Sequence, residues 1–277
     1  MTDNAIYAVG DKLRWHFGEV AVVNIEVDHK GQVVYYVKSA DFGLGARVPE
    51  SMLQKCQEPG MPKFLFKPQR PSLLVRDNFY DDPHAIRELA LSQKFYANPK
   101  AYKGKRTQER FLFPGVKEEI ERLLGCRITS WLKYGTNGIF QITGYNDPLV
   151  YHSDLQSYAA GIVISPNAPV TAGTSFWRDR KYGCLRPPGH PMERDRFPTD
   201  EERIKATNEM YSQYNLVNED NWELVDRVGA IFNRLIIWDG QRVHSASSYE
   251  GFVNDVDPDT EPENSRLIQL FFFDIEE

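Results

Sequence analysis

"LVYHSDLQSYAAGIVIS", residues 149–165, places His152 and Asp154 two positions apart, directly ahead of an apolar run. Side chains alternate across an extended chain, so both face the same way, roughly 7 Å apart at about 3.3 Å rise per residue. Such a pair suits a shared metal ion, and the apolar run suits a buried strand beside it. Alone the pair is a weak signal, because the same two residue types also serve plain hydrogen bonding.

The surrounding chain narrows the choices. With 277 residues and 41% apolar content, it is long enough for one large domain, or for an ordinary domain and a small module. No stretch reaches the 18 or more apolar residues of a membrane span. The opening "MTDNAIYAVGDKLRW" lacks the basic flank and apolar block of a signal peptide, so a cytoplasmic protein without membrane partners is expected. Cys56, Cys126 and Cys184 lie far apart and in no C-x-x-C pairing, so free thiols are expected rather than disulfides or a zinc knuckle. A net charge of −6 weighs against a phosphate-dominated mode of nucleic-acid binding. One basic segment stands out: "KFYANPKAYKGKRTQER", residues 94–110, carries six Lys or Arg against one Glu, with Phe95, Tyr96 and Tyr102 between them. It reads either as a solvated loop or as a surface for an anionic partner or substrate.

Residues 1–60 read as short strands, "KLRWHF", "EVAVVNIEVD", "QVVYYVKSA" and "ARVPESMLQKC", broken by glycine turns, which predicts a small β-barrel or meander. Four prolines within "QEPGMPKFLFKPQRPS" predict a linker over about residues 61–70. Beyond it, "NFYDDPHAIRELAL" predicts a helix capped by Asp81 or Asp82 with Pro83 in its first turn. "GVKEEIERLLG" predicts a second, ending at Gly125. The segments "CRITSWLKYG", "GIFQITGY", "AAGIVIS", "AIFNRLIIWDG" and "RLIQLFFFDI" then read as strands of a β-sandwich or jelly roll over residues 71–277. A polar insertion, about residues 178–222, interrupts them; it is proline-rich first and helical later, and it reads as a lid.

The second metal candidate is His244, in "NRLIIWDGQRVHSASSYEG", after a strand and a tight turn. If two sheets of a jelly roll face each other, His152, Asp154 and His244 form the two-histidine, one-carboxylate facial triad that leaves positions open on Fe(II). Arg266 opens the last strand and could take a carboxylate in bidentate fashion. Tyr145, Asn146 and Tyr151 precede the pair and could line the pocket or hydrogen-bond a cosubstrate; packing is the plainer role for tyrosines there. Gln141 faces the same choice, His84 and His190 read as surface residues, and Trp131, Phe140, Phe176, Trp177 and Trp238 as core.

Taken in order, "NFYDDPHAIRELAL", "YHSDLQSYAAGIVIS", "GTSFW", "NRLIIWDGQRVHSA" and "SRLIQLFFF" resemble the Fe(II) and 2-oxoglutarate-dependent oxygenases, the prolyl-hydroxylase-like branch and its small bacterial and phage relatives in particular. The resemblance spans about residues 70–277. It implies a double-stranded β-helix, cupin-like, mainly β with flanking helices. It implies iron held by His152, Asp154 and His244, 2-oxoglutarate held by Arg266 with Tyr145 beside it, and O2 as oxidant. Hydroxylation is implied over halogenation, because halogenating members lack the carboxylate that Asp154 supplies. The substrate would be an amino acid, a peptide or a protein side chain. A nucleic-acid-modifying oxygenase and a non-enzymatic jelly-roll binding module are the alternatives. Two departures go with it: twenty-two residues separate His244 from Arg266, more than is usual, which leaves Arg242 as a substitute, and the N-terminal module has no counterpart in minimal members.

Overall fold

A computed structural model describes residues 7–15, 18–28, 30–39, 45–49, 53–55, 70–97, 104–255 and 262–276. The chain divides into two compact units, Met1–Gln69 and Arg70–Glu277. The expected linker lies outside the described residues, apart from Arg70, as does Cys56.

In the first unit, β1 (Lys12–Trp15), β2 (Gly18–Val27), β3 (Val33–Ser39), β4 (Gly45–Pro49) and β5 (Gln54–Lys55) form one antiparallel sheet in the order β4-β3-β2-β1-β5. Its core is Leu13, Val22, Tyr35, Val37, Val48 and Leu53. The β2–β3 turn is set by Asp28, whose Oδ1 accepts from the amides of Lys30 and Gln32, and by Gly31 at φ +77.

The second unit begins with β6 (Leu73–Arg76) and α1 (Pro83–Leu91). Asp82 caps α1, accepting from the Ala85 amide at 3.0 Å, with Pro83 at the first position. The short strands β7 (Tyr96–Ala97) and β8 (Lys105–Arg106) precede α2 (Val116–Leu124), which ends at Gly125 in the left-handed conformation and buries Val116, Ile120 and Leu124 along one stripe. Then follow β9 (Ile139–Thr143), β10 (Tyr158–Val163), β11 (Thr174–Asp179), α3 (Asp200–Met210), β12 (Trp222–Val228), β13 (Leu235–Asp239), β14 (His244–Ala246) and β15 (Arg266–Phe273). The unit is mainly β with three helices, and its strands form two antiparallel sheets. One has seven strands in the order β6-β13-β10-β15-β9-β8-β7, the other three in the order β12-β11-β14.

Period-two alternation gives the larger sheet two different faces. Phe140, Ile142, Ala160, Ile162, Leu235, Ile237, Leu267, Phe271 and Phe273 point to one side and pack against α1 and α2. The intervening residues Ala159, Ile236 and Trp238 point the other way, against Phe176 of β11 and Val228 of β12, so the two sheets pack face to face. β10 is buried along its whole length because both of its faces are covered.

One expected strand is corrected. "CRITSWLKYG" is a series of turns in which Ile128 alone bridges to Ile275; Trp131 instead folds over to stack on Phe271 at 5.5 Å, and Asn137, fully buried, holds its carbonyl at 2.6 Å. In "AIFNRLIIWDG" the strand runs over Leu235–Asp239, as its apolar run predicts. Asn233 stands at φ +63, where its side-chain amide exchanges two 2.8 Å hydrogen bonds with the backbone of Tyr80.

The insertion joins β11 to β12. A capping box between Thr199 and Glu202 starts α3. Cys184, Phe197, Ala206 and Met210 form a cluster with Tyr151, Trp177, Trp222 and Val243, and burial pushes the Cys184 thiol up to about 12. Cys126 and Cys184 are both free. Among the described residues no helix is long and apolar enough to cross a membrane.

Candidate metal centre

His152 and His244 meet through the backbone. His152 N–H donates to His244 O at 3.0 Å and His244 N–H donates to His152 O at 2.8 Å, an isolated antiparallel bridge that sets the two rings 4.3 Å apart. His152 therefore belongs to a single-residue bridge; the strand expected around it starts only at Tyr158. The Asp154 amide donates to Gly240 O at 2.7 Å, anchoring the third group on the turn after β13. Gly240 is required for this approach, since a Cβ there would stand 2.5 Å from the Gln156 carbonyl oxygen.

Both rings are oriented in the same way. His152 Nδ1 lies 2.9 Å from Val150 O, and His244 Nδ1 lies 2.8 Å from Arg242 O. A carbonyl only accepts, so each Nδ1 carries the proton and each Nε2 is left to face the carboxylate. His152 Nε2 is 3.6 Å from Asp154 Oδ1, and His244 Nε2 is 3.3 Å from Asp154 Oδ2. One ligand atom from each residue lies within 4.8 Å of the others. With Nε2 lone pairs aimed at a carboxylate, the cluster gathers electron-rich atoms, and either a shared cation or a second proton on a ring relieves their repulsion. Donors bound to a divalent ion at roughly 2.1 Å in neighbouring positions stand about 3 Å apart, so this two-nitrogen, one-oxygen set fits such an ion.

The triad borders a cavity between the sheets. Its lining includes His152, His244, Thr174 and Trp238, along with Tyr249, Arg266, Arg106 and Gln141. Arg266 is 5% exposed; its Nε donates to Ala172 O at 2.9 Å and one terminal nitrogen to Gly173 O at 3.3 Å. Among the described residues no carboxylate pairs with it. Burial holds its pKa below the usual guanidinium value, opposed by the nearby Tyr249. Burial in turn pushes the Tyr249 hydroxyl up, with Arg266 pulling the other way. A guanidinium has five N–H donors, so three remain on Arg266 after the two carbonyls.

Arg266 thus joins the cavity of the triad, and Tyr145 does not. It is 55% exposed, and its amide donates to Val253 O at 2.7 Å. The cavity tyrosine is Tyr249, which follows β14 and carries no motif in the sequence. Arg242 lies over the Phe176 ring at 4.5 Å and is not part of the lining. Gln141 and Trp238 are cavity residues, the latter with an indole N–H that has no acceptor among the described residues. His84 packs on Phe232, and His190 bonds within the insertion. Arg106, read only as part of a basic segment, was not singled out from sequence. β8 pairs with β9 so that Arg106 stands beside Gln141 and turns inward.

A family model described as a family of unknown function (DUF6445) matches residues 152–273, from the first triad histidine to the end of β15. No curated protein matches this chain. Among solved structures, a similar chain is titled "Selenomethionine labeled Fe(II)/(alpha)ketoglutarate-dependent dioxygenase TqaL". It is 10% identical, with 74% of this chain and 84% of that chain covered and a TM-score of 0.29.

Proposed function

We propose that this chain is an Fe(II) and 2-oxoglutarate-dependent dioxygenase that hydroxylates an amino acid, a peptide or a protein side chain while 2-oxoglutarate becomes succinate and CO2. The observation that carries the reading is a buried arginine, Arg266, with no carboxylate partner among the described residues, in a cavity lined by both histidines of a His, Asp, His group. An uncompensated buried charge costs several kcal/mol, so a site that keeps one is built for an anionic ligand. The two facing sheets are read as a double-stranded β-helix, with residues 1–60 as a separate N-terminal module of unassigned role.

When bound, the iron and its cosubstrate supply the oxidising power toward an otherwise inert C–H bond. The chain supplies position and environment. His152 and His244 present Nε2 in fixed tautomers, and Asp154 adds the charge that a halogenating site lacks. Arg266, with Tyr249 beside it, would hold the distal carboxylate of 2-oxoglutarate through its remaining donors. Ile268, Leu270, Phe272 and Trp238 form apolar wall that keeps the site dry.

Protein purified without oxygen is expected to bind about one Fe(II) or Mn(II), and the Fe(II) form, once O2 is admitted, to release CO2 and succinate from 2-oxoglutarate. His152→Ala and Asp154→Ala should lose both properties. Equal turnover in those variants removes the reading. A binding module without enzymatic function predicts instead no metal uptake and no metal-dependent rise in thermal stability. The nucleic-acid reading is less favoured, because Arg106 faces the cavity and Arg110 donates to the carbonyls of Leu132 and Tyr134; Lys100 and Lys103 lie outside the described residues. Absent or salt-insensitive binding to single-stranded DNA and RNA would dismiss it.

A further inference from the structure

We propose that Arg106 is the substrate-binding cation of this site, and hence that the substrate carries a carboxylate close to the carbon that reacts. The inference rests on the function proposed above and narrows its substrate class to a small carboxylate-bearing molecule, such as an amino acid with its α-carboxylate free.

The guanidinium is aimed by its own sheet. Arg106 and Gln141 are cross-strand partners, and Ile268 is the next residue in the same row, so all three project toward the space between the sheets. Arg106 Nε donates to Gln141 Oε1 at 2.7 Å. Gln141 is 5% exposed, and its carbonyl holds the inner edge of the guanidinium. The two terminal nitrogens, the edge that grips a carboxylate in bidentate fashion, take no protein acceptor among the described residues. No carboxylate pairs with Arg106 there either; Asp154 and Tyr249 act on it only through space.

Charge balance points the same way. The charged residues that line the cavity are Arg106 and Arg266, and the Asp154 carboxylate stands behind the two lining histidines. A divalent metal and a dicarboxylate cosubstrate cancel one another, and Asp154 cancels one arginine. One positive charge remains in a largely desolvated site, and a monoanionic substrate group neutralises it. Arg266 stands in register with Thr143 and Arg106 with Gln141, two residues apart along β9, so the two cations form separate stations.

The test uses the full-length protein loaded with Mn(II) and saturating 2-oxoglutarate, with fluoroacetate and its neutral counterpart fluoroacetamide as probes. Paramagnetic broadening of the 19F line reports residence near the metal. Fluoroacetate is expected to broaden at least about tenfold more than fluoroacetamide at equal concentration, a difference of about 1.4 kcal/mol. In Arg106→Gln the difference should vanish, while 2-oxoglutarate affinity, measured by titration, stays within about twofold. Arg106→Lys, which keeps the charge and loses the fork, should retain part of it. Equal broadening of the two probes in the wild type, or an unchanged difference in Arg106→Gln, overturns the assignment. So does a loss of 2-oxoglutarate affinity in that variant, which would make Arg106 part of the cosubstrate site. No Mn(II) uptake by equilibrium dialysis defeats the metal reading itself, and this inference with it; uptake with any of the other three failures defeats the Arg106 assignment alone.

Discussion

The two faces of the seven-stranded sheet are built from the same strands and do opposite things. On β15, Leu267, Phe271 and Phe273 go to the helices, while Arg266, Ile268, Leu270 and Phe272 go to the cavity. The helix face is closed and apolar, with Gln269 as its buried polar member. Tyr80 donates to Gln269 Oε1 at 2.5 Å, and the Gln269 amide donates to Phe111 O at 2.9 Å. The cavity face keeps two arginines that pair with no carboxylate among the described residues. A sheet can thus separate stability from binding at single-residue resolution, because neighbouring residues never share a side.

The largest expected effect tests the helix face. Phe271→Ala removes a buried ring stacked on Trp131 and should cost about 3–5 kcal/mol in denaturant unfolding, with metal affinity of the folded protein unchanged. A drop in metal affinity would show that the faces are coupled. Next comes Arg266→Met on the cavity face, where 2-oxoglutarate affinity should fall roughly 100-fold, about 2.7 kcal/mol, by calorimetric titration. Unfolding of the unliganded variant should show equal or greater stability, because a desolvated charge has gone. Gln269→Ala should destabilise by about 1–3 kcal/mol, since it strands the Tyr80 hydroxyl, and should leave cosubstrate affinity alone. Gly161→Ala should cost least, about 1 kcal/mol, if Ile268 gives way. Its new Cβ would meet Ile268 Cδ1 at 2.7 Å on the cavity side, so weaker ligand binding should accompany a small stability loss.

The apolar strands, the start of the first helix and the end of the second could be read from the sequence because each has a local cause. Asp82 with Pro83, Gly125, and the apolar runs of β10 and β15 carry their structure within a few residues. The convergence of His152 on His244 could only be guessed, because it depends on one backbone bridge between segments about ninety residues apart. Arg106 and Tyr249 were missed for a similar reason. Arg106 sits in a run of lysines that looks like surface, and only its register with Gln141 turns it inward. Tyr249 belongs to no repeating pattern, whereas Tyr145 was favoured for its closeness in sequence to His152. "CRITSWLKYG" misled because Ile128 and Trp131 are isolated anchors, whose apolarity mimics a strand.

The insertion has a consequence for how the candidate ligands are held. Leu216 O accepts from the Tyr151 amide at 2.8 Å, Leu185 O accepts from the Val243 amide at 2.8 Å, and the Tyr211 hydroxyl contacts Ser153 Oγ at 2.9 Å. Arg186 Nε donates to Asp239 Oδ2 at 2.7 Å, beside the Gly240 that anchors Asp154. Tyr151, Ser153 and Val243, each next to a candidate ligand, are therefore tied to this one excursion of the chain. If an ion binds there, its capture and the ordering of that excursion are thermodynamically reciprocal, each tightening the other by the same factor. Slower amide exchange at Tyr151 and Val243 on metal loading would be the visible trace of that reciprocity.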